Sequence, residues 1–230
     1  MKAILVAVAA LAFAVSPFFV PFDGFDQNKY PIPQDNPPVQ PAGYAFSIWG
    51  LIYLWLLGHG AFGLLKRDTD EAWDRTRWPL FISLAVGASW LSVAETSPVM
   101  ATILIWVMLI TALMALFRSA GPDRWLLQAP LAIYAGWLTA ASFVSIGLLG
   151  AGYGIGFGEV GWAWAALVAA LVFGAGIQTS LARAPEYGVA LIWALIAVAI
   201  ANWPDQIGIA ALAIAGAIGI GVLALRARVR

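Results

Sequence analysis

Eight apolar runs, at roughly 3–21, 44–65, 79–95, 98–117, 126–149, 160–182, 187–203 and 206–225, constrain this chain more than any other feature. About 17–25 apolar residues are what a helix needs to cross the hydrocarbon core of a bilayer. Within lipid every backbone N–H and C=O has to be satisfied inside the chain, which leaves helices or closed barrels. Runs of this length predict helices. Composition agrees: 62% of the 230 residues are hydrophobic and 10% charged, against about 25% charged in soluble domains. The expected fold class is an all-α integral membrane protein, a helical bundle of about eight transmembrane helices.

The first run, MKAILVAVAALAFAVS, carries one positive charge ahead of an apolar core of small residues, the pattern of a secretory signal. Pro17 follows the one Ala-Val-Ser cleavage site and hinders cleavage there, so a retained helix is expected. Lys and Arg collect on the cytoplasmic side of membrane proteins. With the N-terminus inside, eleven of the twelve fall in inner segments, from Lys2 through the 66–77 loop, Arg118, Arg124 and Arg183 to Arg226, Arg228 and Arg230; Lys29 alone falls outside. A missed or extra span would scramble that split. Both termini are expected in the cytoplasm, in what reads as a bacterial inner membrane. The long outer loop, residues 22–43, contains PIPQDNPPVQPAG, stiff and extended because proline fixes φ and lacks a donor. The inner segment KRDTDEAWDRTR reads as a solvated turn.

Several chemistries are excluded or disfavoured. Without cysteine there are no disulfides, thiolate metal sites or cysteine nucleophiles, and one histidine makes a protein-only zinc or copper cluster improbable. Twelve Lys/Arg offset twelve Asp/Glu, so no basic surface invites nucleic acid. No lysine sits within a span, no mid-membrane carboxylate supports ion-driven transport, and no acid–base pair stands out. The glycines of GAGYGIGFG match neither a phosphate loop nor a dinucleotide turn and read as a flexible outer connection. Gly174 with Gly176, and Gly216 with Gly219 and Gly221, read as close helix-packing positions.

Aromatic surface is abundant: 12 Trp, 12 Phe and 6 Tyr. Trp78, Trp125, Trp162 and Trp203 lie at span ends and fit an interfacial belt. Deeper, Phe46, Trp49 and Tyr53 fall at i, i+3, i+7 on one face of the second span, while Trp55 and His59 lie off that face and are assigned to packing or the inner interface. Tyr134, Trp137 and Ala141 repeat the spacing in the fifth span, continuing to Ser145. Two such faces turned together make a ring-lined site for a flat apolar ligand, or simply aromatic helix packing.

PAGYAFSIWGLIY resembles the PPGWVFGPVWTLLY segment of the tryptophan-rich sensory protein family, which includes the mitochondrial translocator protein (peripheral benzodiazepine receptor). Pro41, Gly43, Phe46, Trp49 and Tyr53 match, with Tyr44 in place of a tryptophan. Tyr134, Trp137 and Ala141 resemble the family's YxxWxxxA stretch, Ser145 stands where asparagine is usual, and the proline-rich outer loop is in the family's place. Phe46 to Trp49 is one residue shorter than the family's FGPVW, Gly87 and Leu91 flank Trp90 where asparagine and serine are expected, and the loop's tryptophans are absent, with Tyr30 the nearest substitute.

The resemblance covers residues 1–150, implying a TspO-type five-helix unit, with 151–230 as three additional transmembrane helices. It implies a membrane receptor or sensor whose outer loop covers a pocket for porphyrin, haem or a sterol-like molecule, lined by Tyr44, Phe46, Trp49, Tyr53, Trp90, Tyr134, Trp137, Ala141 and Ser145. No cofactor is required and no enzyme activity is expected, although transport and porphyrin breakdown have both been proposed for the family. Expected partners are the bilayer, the ligand, and a homodimer mate or another membrane protein docking on the last three helices. The alternatives are a passive channel, using Ser47, Ser89, Thr139, Ser142, Gln178 and Asn202 as its polar path, or an assembly subunit.

Overall fold

The computed structural model describes residues 1–20, 27–121 and 123–226, so residues 22–26 of the outer loop, Arg228 and Arg230 lie outside the described residues. Among the described residues eight α-helices follow one another: α1 (Lys2–Val15), α2 (Ile48–Leu65), α3 (Glu71–Ala94), α4 (Pro98–Arg118), α5 (Arg124–Gly152), α6 (Glu159–Ser180), α7 (Pro185–Asn202) and α8 (Ile207–Leu225). A 3₁₀ turn at Gly43–Ser47 leads into α2, and with it seven helices are long and apolar enough to cross a membrane. Among the described residues there are no strands. The chain is a helical integral membrane protein.

Two elements differ from the sequence expectation. The first helix ends at Val15, short of residue 21, and a 3₁₀ turn at Ser16–Phe18 follows, because Pro17 has no N–H to continue the α-helical ladder. Fourteen residues rise about 21 Å, less than the roughly 30 Å hydrocarbon core. The turn between α2 and α3 is shorter than expected, since residues 71–77 are already helical. Asp70 caps them, its carboxylate accepting from the N–H groups of Ala72 and Trp73 at 2.9 and 3.2 Å. The buried Arg77 donates to the carbonyls of Arg67 and Asp68 at 2.5 and 2.6 Å, folding the turn over the helix start.

The bundle is organised around α5, in which every residue from 127 to 139 is buried. A helix apolar all round is one that other helices surround. Here α2, α4, α6 and α7 pack on it, while α1 lies on α2 and α3, and α8 on α6 and α7. Lipid is as apolar as leucine, so close packing rather than hydrophobic burial holds such helices together. Gly136 lets the α5 and α7 backbones meet, and Gly174 receives Leu191. The connection after α5 is also more ordered than its glycines suggest. Gly150 and Gly152 are helical and lie flat against Trp162 and Tyr30, while Gly154 and Gly156, at φ +64° and +70°, make the turn.

Candidate functional site

The proline-rich segment before α2 is fastened, and its fastenings define the site. Ala42 N donates to Ala197 O of α7 (3.1 Å), Asn202 Nδ2 to Pro38 O (2.8 Å), Trp193 Nε1 to Ala45 O (2.9 Å), and Ile32 N to Gly152 O at the end of α5 (2.9 Å). Lys29 adds a hydrogen bond to the carbonyl of Glu95 beyond α3. Residues 38–41 therefore form a roof held mainly by α7.

Beneath it the two expected aromatic faces do meet. Trp49 stacks on Tyr53 (5.3 Å, 17°) and stands edge-on to Trp137 (6.2 Å, 84°), and Phe46 stands edge-on to Trp137 (6.0 Å, 81°). Instead of enclosing one large cavity the rings interlock. Phe13 of α1, which the sequence reading passed over, sits among them, edge-on to Trp49 and Tyr53 at 5.6 and 5.0 Å. Gly87 of α3 gives that ring room, since a Cβ there would come within 2.8 Å of it. A run as uniformly apolar as α1 has no pattern that would single out Phe13.

Two internal cavities remain. The inner one, about 140 Å³, lies among α1 to α4 and is lined by Phe13, Phe46, Trp49, Tyr53 and Trp90. The other, about 90 Å³, lies at the junction of α5, α6 and α7 under the roof, with Phe46, Trp90, Trp137, Ala141 and Ser145 in its wall. Phe46, Trp90 and Ile105 belong to both walls and so form the partition. Trp90 is fixed there by Nε1 donating to Ala101 O at 2.8 Å. Trp137 Nε1 is buried without a hydrogen-bond partner, a costly state that a ligand acceptor would relieve.

Two of the nine predicted residues line neither cavity. Tyr44 is exposed and packs edge-on against Trp193 at 5.4 Å, because the 3₁₀ turn directs it outward. Tyr134 is fully buried, its hydroxyl 2.9 Å from Ser83 Oγ, which in turn donates to Met108 O at 2.8 Å, so it joins α5 to α3 and α4 instead. Ser83 stood out in no sequence pattern. Trp55 and His59 pack away from the cavities as expected, with Trp55 Nε1 donating to Trp125 O (2.8 Å) and His59 Nδ1 2.7 Å from Leu126 O.

A family model described as TSPO-like protein matches residues 2–226. The chain belongs to the TSPO-like family. Neither a curated protein nor a solved structure matches it. The match runs through α6, α7 and α8, beyond the five spans on which the motif resemblance rests. This agrees with a site whose junction cavity and roof are built in part from those helices. Among the described residues the cavity walls carry no carboxylate, imidazole or amine, and Tyr53 contributes a phenol.

Proposed function

We propose that this TSPO-like protein is a membrane receptor for a flat apolar ligand of the tetrapyrrole or sterol-like class, bound around Phe46, Trp90 and Trp137. The observation that carries the reading is Trp137 Nε1, a buried donor without a partner in a residue of a mostly apolar, ring-lined wall whose other polar side chains are Gln40 and Ser145. Sites of this kind combine apolar surface with a few placed polar groups, usually over about 300–1,000 Å³. Cavities of about 140 and 90 Å³ are smaller even together, so binding requires Phe46 to swing aside and join them and the surrounding walls to spread. The role is sensing or delivery without turnover, since the walls offer no acid–base pair. From the charge asymmetry we place both termini in the cytoplasm and the roof outside.

The passive-channel reading has less support. Thr139 is 2.9 Å from Tyr187 Oη, Gln178 donates to the carbonyls of Leu181 and Ala184, Asn202 to Pro38, and Ser47 and Ser89 are exposed on the bundle surface. These groups line no common path.

Protoporphyrin IX titrated into the protein in nanodiscs, followed by tryptophan fluorescence, tests the binding reading. Trp49→Ala and Trp137→Ala are each expected to weaken binding about tenfold or more, which corresponds to about 1.4 kcal/mol. Variants that bind like the parent would refute the site.

A further inference from the structure

A third space bears on how a ligand reaches the junction cavity. Along the outside of α6 runs an open groove of about 770 Å³, walled by Phe157, Trp164, Val168, Val172 and Phe173, with Phe143 of α5 at its floor. Trp164, Val168 and Val172 are exposed on a helix that crosses the membrane, so the groove opens on lipid. The opposite side of α6 presents Ala163, Ala166 and Ala170 to the junction cavity, and Phe143 lines that cavity too. Phe143 is thus shared by the wall of the groove and the wall of the cavity.

We infer that the α5–α6 groove is the route by which a lipophilic ligand passes from the bilayer into the junction cavity, with Phe143 as the gate. The inference rests on the binding role proposed above. The alternative entrance from water is roofed by residues 38–41, which α7 holds through the Asn202 and Ala197 hydrogen bonds. Phe143 is only half-buried and packs against two rings, edge-on to Trp106 at 5.3 Å and tilted on Phe173 at 5.5 Å. The small alanines behind it leave space into which the ring can turn. Trp106 Nε1, beside the gate, is a second buried donor without a partner. Trp106 itself lines neither the groove nor the cavity, so the indole donor a ligand meets inside is that of Trp137, in mostly apolar surroundings. That selects a bilayer-soluble molecule bearing at least one acceptor oxygen, such as a carboxylate or carbonyl.

The test measures collisional quenching of Trp137 by bromobenzene dissolved in the bilayer of nanodiscs. In each background the Trp137 signal is taken as the difference from the same chain carrying Trp137→Phe. Phe143→Ala is expected to raise the quenching slope at least threefold, and Phe143→Trp, a larger plug that keeps the aromatic packing, to lower it. A slope unchanged in both variants overturns the route, as does a rise in Phe143→Ala that aqueous acrylamide reproduces equally. If protoporphyrin IX fails to bind while bromobenzene quenching still follows Phe143, the tetrapyrrole reading falls and the route stands.

Discussion

At position 136 a methyl group has nowhere to go. A Cβ there would fall on the carbonyl oxygen of Tyr187 and within 2.9 Å of Ala190 Cβ, so it meets the backbone of α7 rather than the end of a flexible side chain. Gly136→Ala is expected to cost about 1–3 kcal/mol by forcing α7 off α5, seen as a lower thermal midpoint in detergent. Gly50→Ala is the matched control, because nothing lies within 4 Å of its added Cβ; relief of a helix-interior glycine makes it neutral or up to about 1 kcal/mol stabilising. Equal midpoints for the two variants would refute the close contact. The glycines singled out by sequence spacing divide in the same way: Gly174 and Gly216 receive Leu191 and Leu171, whereas Gly176 and Gly219 face open space. Spacing shows which residues share a helix face, but not what stands opposite. For that reason Phe46, Trp49 and Trp137 were legible as one aromatic group, while Phe13 in a uniform run and Ser83 on another helix were not.

The roof segment takes its shape from proline and its position from α7. Its prolines lack donors, so few backbone bonds can fasten it and side chains from the helices must help. Asn202 supplies one, donating to both Pro38 O and Val198 O at 2.8 Å. Asn202→Ala removes the anchor at Pro38, a loss of about 1 kcal/mol and so roughly a fivefold increase in the opened population. The chain contains no cysteine, so Val39→Cys, at a buried roof position, introduces a single thiol. Its labelling by a water-soluble maleimide is expected to run about fivefold faster with Asn202→Ala than without it. An unchanged rate would mean that the bond does not hold the roof. That residues 31–42 form no helix was readable from their prolines, and seven of the eight spans from their length. The attachment to α7 was not, because it pairs residues 164 positions apart, and neither was the early start of α3, where a buried Arg77 stands in what reads as a polar turn.

At the scale of the whole bundle, the charged groups of one end act as ties between helices. Lys2 reaches Asp74 (2.6 Å), joining α1 to α3, and Arg124 pairs with Glu186, joining α5 to α7. The densest tie is Asp123, just before α5, whose carboxylate accepts from Arg67 Nε at 2.7 Å, Arg67 Nη2 at 3.1 Å and Trp73 Nε1 at 2.9 Å. These bonds link the α2–α3 turn and α3 to the start of the central helix. The Arg67 hydrogen bonds, with help from Trp73, hold the Asp123 carboxyl below the usual range even though partial burial pushes the other way. A carboxyl whose folded-state pKa is depressed stabilises the fold fully above its unfolded value of about 3.9, and that contribution is lost as pH falls through the folded-state value. The thermal midpoint of the parent in detergent should therefore exceed that of Asp123→Asn by a near-constant margin of a few degrees from pH 5 to 8, about 2–4 °C for each kcal/mol in a chain of this size. The margin should begin to shrink as pH drops below about 4 and close only once pH is below the depressed folded-state value. Asn keeps the shape and one acceptor oxygen, so what disappears is the charge-assisted part of the tie. A margin that persists undiminished at pH 3, or is absent at pH 7, would show that the Asp123 charge does not fasten this end of the bundle.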